Sequence, residues 1–315
     1  MNHLFHELIA KGHVVIYMDN ILIFTVTIEE HWQIIQEVLQ ILADNKLYLK
    51  PEKCDFKKLE IKYLGLCIAY DHIMMDLIKI QGVANWPVPH NITNVWSFLR
   101  FTNSYRCFIH NFSDMAKPLN ALLQKDAKWE WSDIQFKAFE HLKLLLCSKP
   151  ILVFPMEDHT FLVEADSSGY ATGAVLSQMQ DSEKWHPVAY ISKSLSPAEH
   201  NYDIYDKEML AVIRALEQWH HYLEGAKHPV QILTNHKNLE YFMMAQKLNQ
   251  CQACWSLFLS HFDIKMMHHP GKSSAKPDLL LRHSDHKEGV ENNNNDIILL
   301  KPEFSSKNSQ IAAAL

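Results

Sequence analysis

Arginine is scarce in this chain. Only four occur among 315 residues (Arg100, Arg106, Arg214 and Arg282), and 30 Lys+Arg face 36 Asp+Glu for a net charge of −6. Tight autonomous binding to DNA or RNA usually goes with the opposite sign, because neutralising phosphates drives affinity. A local basic groove is still compatible with this balance. Long apolar runs are missing too, and none approaches the roughly 18 residues of a membrane helix. The start, MNHLFHELIA, lacks the basic-then-apolar order of a secretory leader. The expectation is an intracellular, soluble protein with no membrane partner. The cysteines at 54, 67, 107, 147, 251 and 254 are scattered, and only Cys251 and Cys254 form a CxxC. A structural zinc site needs two more ligands at partner spacing, and there is no second CxxC. His261 and the His268–His269 pair lie nearby, so a zinc module stands as the alternative to two small side chains on a helix, CQACWSLFLSHF.

What is present is enough for a sizeable core. Hydrophobic residues make up 48% of the chain, and its length allows two or three domains. VVIYM and ILIF read as two strands joined at Asp19-Asn20. Thr27, with Glu30 three residues later, fits a capping box. Apolar residues at 34, 35, 38, 39, 41 and 42 then repeat with a helical period, ending near Asp44-Asn45. KYLGLCIAY and HIMM suggest a second hairpin, separated by Asp71-His72. Trp86-Pro87-Val88-Pro89 marks a boundary, and helices follow; one opens at Ser132 with Gln135 and runs to about Cys147. After Pro150 come three strands (FLVEADSS, ATGAVLSQ, HPVAYISKS), a new element at Ser196-Pro197, and a helix over about 206–224. The strand VQILTN, two further helices and the strand FDIKMMHH complete the pattern. This order predicts an α/β (α+β) domain built on a mixed sheet. From about 286 the chain is polar, with Asn292 to Asn295, and is expected to be disordered.

Within that domain, carboxylates recur at element ends. Asp166 closes the first strand, Glu208 opens the long helix, Thr234-Asn235-His236 ends the fourth strand, and Asp278 lies near the domain's C-terminal edge. Such groups can converge at one edge of a sheet and hold two Mg²⁺ ions for phosphodiester cleavage. Each also has an ordinary reading. An Asp after a strand is usually a loop residue, and a Glu in a first helical turn usually serves the helix dipole.

The ordered motifs decide between these. YMDNILIFT, LYLKPEKCDF, YLGL, FLRFTNSYRCFI, KPLNALL, VEADSSGYATGAVLSQ, HPVAYISKSLSPAEHNYDIYDKEMLAVIRALEQWHHYLEG, TNHKNLEYF and HHPGKSSAKPDLLLR follow one another along nearly the whole chain. The sequence resembles the Pol polyprotein of gypsy-type LTR retrotransposons, fungal elements above all. The resemblance implies the C-terminal part of a reverse transcriptase palm over 1–86, a helical thumb and connection over 87–150, an RNase H domain over 151–285 and a polar tail over 286–315. It implies an RNA–DNA hybrid or primer–template as substrate, Mg²⁺ or Mn²⁺ as cofactor, and the rest of the polyprotein as partner: palm and fingers upstream, integrase downstream. Tyr17, Met18, Asp19 and Asn20 fall on the polymerase's YxDD turn, with Asp19 as its metal-binding acid. Leu64 and Gly65 fall on the hairpin that holds the primer end. Asp166, Glu208 and Asp278 fall on three of the four RNase H metal ligands.

Departures from the family pattern are specific. Asn20 replaces the second YxDD aspartate, and Asn235 replaces the acid of TDH. Arg100 stands for the glycine of FLG, Cys107 for an arginine of YRRFI, Cys251 and Cys254 for arginines of RRQARW, and Leu281 for the serine of ALSR. The chain opens just upstream of the YxDD turn, so it is not expected to polymerise by itself. Loss of one acid should impair the RNase H activity, down to a catalytically dead relic that binds nucleic acid weakly. Asp→Asn, Gly→Arg, Arg→Cys and Ser→Leu are each reachable by one C-to-T or G-to-A change. This pattern points to a copy altered by cytosine deamination. Sequencing the locus is expected to show that every one of these codons differs from the family codon by such a transition; codons that need transversions contradict it.

Overall fold

The computed structural model describes residues 1–125, 127–148, 150–181, 183–234 and 250–268. The chain divides into two compact units, one over Met1–Asp76 and one beginning at Leu77.

The first unit opens with helix α1 (His6–Ala10) and a hairpin of β1 (Val14–Tyr17) and β2 (Asn20–Ile23). Tyr17 pairs with Asn20, so the tip is Met18-Asp19 and Asn20 already belongs to β2. The expected Asp19-Asn20 tip is therefore shifted by one residue. Met18 takes the strain of the tight turn at φ 55°, a region that non-glycine residues rarely occupy. Helix α2 (Ile28–Asp44) starts where Thr27 accepts from the Glu30 N–H. The Glu30 carboxylate reaches back to the Val26 N–H, one residue beyond a standard capping box. Its apolar face, Ile34, Val38 and Leu42, packs with Phe5, Leu8 and Val14. The expected second hairpin is a three-strand meander: β3 (Ile61–Tyr63), β4 (Leu66–Ile68) and β5 (His72–Met75). Its first turn is Leu64-Gly65, both with positive φ (52° and 82°), as a two-residue hairpin of the primed type requires.

The second unit begins with four helices, α3 (Leu77–Ala84), α4 (Ile92–Asn103), α5 (Phe112–Ala121) and α6 (Asp133–Cys147). Helix α6 carries the complete Ser132–Gln135 capping box. It packs through Phe139 on Phe98 of α4, ring centroids 4.6 Å apart. Arg100 lies over the Trp96 ring at 5.3 Å, so an arginine is accommodated there on the helix surface.

Strands β6 (Ile151–Val153), β7 (Phe161–Ser167), β8 (Ala171–Met179), β9 (Trp185–Ser194), β10 (Val230–Thr234) and β11 (Ile264–His268) follow, with α7 (Ile204–Gln218), α8 (His220–Leu223) and α9 (Gln250–Leu259) among them. Five strands form one mixed sheet in the order β11-β10-β7-β8-β9. β7, β8 and β9 are antiparallel neighbours, while β10 runs parallel to both β7 and β11. Side chains alternate across the sheet. Phe161, Val163 and Ala165 join Met209, Val212 and Leu216 of α7 in a continuous core. Glu164 therefore points to the opposite face.

That opposite face is covered by the segment leading into α5, which packs against β9. Asn111, held at φ 50°, places its side chain so close to Gly173 that a Cβ there would overlap Asn111 Oδ1. The Ser113 N–H donates to Ser192 Oγ at 3.0 Å. Among the described residues no helix is long and apolar enough to cross a membrane.

Candidate metal centre at the end of the central strand

Asp166 and Ser167 end β7, where they pair with Gly173 and Thr172 of β8. Helix α7 packs on β7 and β8 and brings Glu208 from its second turn to the same place. The Ser167 hydroxyl donates to Glu208 Oε1 at 3.0 Å. The Ser167 N–H donates to Asp166 Oδ1 at 2.9 Å. Asp166 is exposed, whereas Glu208 is buried at 6% exposure, with Oε2 lacking any hydrogen-bond donor among the described residues. Burial, and then the charge of Asp166, push the Glu208 carboxyl up to about 7, against the opposing hydrogen bonds from Ser167. Two carboxylates so placed repel each other unless a proton or a cation lies between them.

Two residues that sequence patterning did not single out as site residues frame the pair. Arg214, buried on α7, donates to Thr172 Oγ1 at 2.9 Å and to both Glu199 oxygens at 2.8 and 2.9 Å. It thereby ties α7 to the strand paired with Ser167. Burial raises the Glu199 carboxyl, but the Ser196 amide and hydroxyl and then Arg214 outweigh it, leaving a net downward shift. On the other face, His110 is held by burial below the ordinary histidine range, with Asp166 opposing that shift. Its Nδ1 has no partner among the described residues, and its ring meets Tyr190 edge-on at 6.0 Å. Spacing could have hinted only at Glu199, through the Ser196-Pro197-Ala198-Glu199 start.

The other predicted site residues fall in two groups. Asn235 and Asp278 lie outside the described residues, as do the Cys251 side chain and His269 of the zinc alternative. β10 nevertheless runs beside β7, with Leu233 opposite Glu164, and ends at the next residue, Thr234. In the first unit, Tyr17, Met18, Asp19 and Asn20 form an exposed hairpin end, and Leu64-Gly65 forms a second one. Tyr63 Oη, beside that second turn, donates to the Asn20 carbonyl at 3.4 Å and so joins the two hairpins. Asp19 is the only acid of this hairpin end. Among the described residues no group of three or more His, Cys, Asp or Glu is placed to hold a metal.

The model for the reverse transcriptase (RNA-dependent DNA polymerase) family matches residues 1–68, and that for the RNase H-like domain found in reverse transcriptase matches 157–262. The Transposon Tf2-7 polyprotein of Schizosaccharomyces pombe is 37% identical over 290 residues, 91% of this chain. The Tf2-3 polyprotein of the same yeast is 37% identical over 288 residues. The chain belongs to the Pol polyproteins of LTR retrotransposons. It spans 22% of the length of each of these two relatives. Its fold matches part of the foamy viral protease-reverse transcriptase. One such structure, in complex with RNA/DNA hybrid, gives a TM-score of 0.65 at 18% identity over 96% of this chain and 39% of that one. Another, a dRH form in complex with double-stranded DNA, gives 0.67 at 18% identity over 85% and 47%. This retrotransposon Pol segment thus carries reverse-transcriptase and RNase H-like parts, and the paired carboxylates stand in the second.

The raised Glu208 carboxyl has a defined consequence for stability. Its folded value, about 7, lies above the ordinary 4.5, so the native state binds this proton more tightly than the unfolded chain does. The penalty is absent below the unfolded value, grows as pH rises between the two, and is fully present above the folded one. In a chelator, Glu208→Gln is therefore expected to stabilise the fold by on the order of 1–3 kcal/mol at pH 8 and by little at pH 4. Denaturation curves at the two pH values check this; equal effects at both contradict it.

Proposed function

We propose that this chain is an impaired RNase H module of a gypsy-type retrotransposon Pol protein, acting on the RNA strand of an RNA–DNA hybrid. The observation that carries this reading is the Asp166–Glu208 pair, with its buried and donorless Glu208 Oε2. Hard oxygen donors of this kind suit Mg²⁺ or Mn²⁺, and a cation satisfies the orphan oxygen that no protein donor reaches. The residues therefore fit the group that the family implies. A bound divalent cation supplies Lewis acidity at the phosphodiester. The chain's own part is to bind and to orient. Asp166 and Glu208 hold the cation, Ser167 fixes Glu208 through Oε1, and Arg214 keeps α7 against the sheet. Asp278 is assigned as a third ligand. At Asn235 an amide carbonyl stands in for a carboxylate, which lowers the negative charge of the site and weakens cation binding.

The remaining assignments follow the same reading. Residues 1–86 are taken as palm, 87–150 as thumb and connection, 151–285 as RNase H domain and 286–315 as a polar tail. Tyr17, Met18, Leu64 and Gly65 are assigned to primer–template contact. No polymerisation is assigned to this chain alone, because its YxDD-like turn carries one carboxylate, Asp19, followed by Asn20. The foamy viral enzyme of the same fold has been seen with RNA/DNA hybrid and with double-stranded DNA, which supports that substrate class. The proposed setting is intracellular, alongside the other parts of the polyprotein.

A second reading, a folded relic without catalysis, is favoured by Asn20 and Asn235 together. Cleavage of a labelled RNA–DNA hybrid in Mg²⁺ or Mn²⁺ separates the two. The impaired-enzyme reading predicts weak cleavage by the native chain, a rise of about tenfold or more with Asn235→Asp, and loss with Glu208→Gln. No cleavage by the native chain, with activity appearing only in Asn235→Asp, establishes the relic. Cleavage that survives Glu208→Gln refutes both.

A further inference from the structure

The turn after Asp166 is not held by the β-sheet domain alone. Ser168 is its hub: Ser168 Oγ accepts from the Tyr170 N–H at 3.1 Å and from the Ala171 N–H at 2.9 Å. The hydroxyl has one proton to give. Asp114 Oδ1 takes it at 2.8 Å, closer than the Ala171 carbonyl at 3.1 Å, which already accepts from the Ser168 N–H. A charged acceptor strengthens such a bond and polarises the hydroxyl as an acceptor in its turn. Asp114 lies in the first turn of α5, far outside the residues 157–262 of the RNase H-like match. Its approach is fixed on both sides. Asn111 seats against Gly173, the partner of Asp166 in the ladder, and the Ser113 N–H meets Ser192. One turn further along, Lys117 lies over the Tyr170 ring at 4.6 Å.

We propose that Asp114 is a positioning residue for the Asp166–Glu208 site, acting through Ser168 on the turn that fixes the end of β7. The helical segment before the sheet is then part of the site's framework. This inference rests on the metal reading above for its functional consequence, but its structural half does not. An acid in a first helical turn also serves its own helix dipole. The two roles separate at Asp114→Asn, which loses the charge but keeps an oxygen to accept from Ser168.

The test uses the full chain and two readouts, amide hydrogen exchange and Mn²⁺ binding followed by water-proton relaxation. Asp114→Ala and Ser168→Ala are each expected to speed exchange of the Tyr170 and Ala171 amides about tenfold and to weaken Mn²⁺ binding about tenfold. The double variant should add little to either, and Asp114→Asn should restore most of both. Unchanged amide exchange in Asp114→Ala overturns the inference. So does unchanged Mn²⁺ affinity in that variant while Glu208→Gln loses binding. An Asp114→Asn variant as impaired as Asp114→Ala reduces Asp114 to a helix-dipole charge and overturns it as well. Mn²⁺ affinity that Glu208→Gln leaves intact sinks the metal reading instead, and the amide exchange then decides the structural half alone.

Discussion

A buried carboxylate set beside another carboxylate is the constraint on which the sheet domain turns. Glu208 is hydrogen-bonded by Ser167 and leaves its second oxygen, Oε2, without a donor among the described residues. In a low-dielectric setting that arrangement opposes folding, since burial and like charge both favour the neutral form. Folds keep such groups where chemistry uses them. The surrounding elements read as the means of holding the pair in place.

Each support comes from a different element. From the helix side, Arg214 reaches Thr172 and Glu199 at once, so α7 and the start of β8 are fixed together. From the strand side, the ladder of β7 with β8 sets Asp166 opposite Gly173. On the outer face the glycine admits Asn111, and α5 follows across that face. The helices before the sheet and the sheet itself accordingly fall in one compact unit.

Much of this was legible in the residues. Ser132 and Gln135 announced α6 to the residue, because a capping box is local chemistry. The runs FLVEADSS, ATGAVLSQ and HPVAYISKS became β7, β8 and β9 because their apolar content leaves few alternatives. Asp166 and Glu208 were named, and the fold brings them together. The Met18-Asp19 tip was misplaced by one residue, because a strained methionine at φ 55° defies the preference for Asn or Gly in such turns. The Leu64-Gly65 turn inside KYLGLCIAY was hidden from patterning by its flanking apolar residues, and only the family resemblance put a hairpin there. Arg214, Ser168 and Asp114 carried no signal at all. Asp114 lies far from Ser168 in the chain, as Arg214 does from Thr172, and only the folded register brings them within hydrogen-bonding distance.

The proposed divalent cation between Asp166 and Glu208 is open to one direct measurement. Fe²⁺ substituted for Mg²⁺ in the native chain, with ascorbate and peroxide, cuts backbone beside the bound ion. A cation held by this pair gives cuts at the end of β7, around Asp166 and Ser167, and in the first turns of α7 around Glu208, all absent from Glu208→Gln. Cuts that persist in that variant, or that fall elsewhere in the chain and spare these two segments, contradict it.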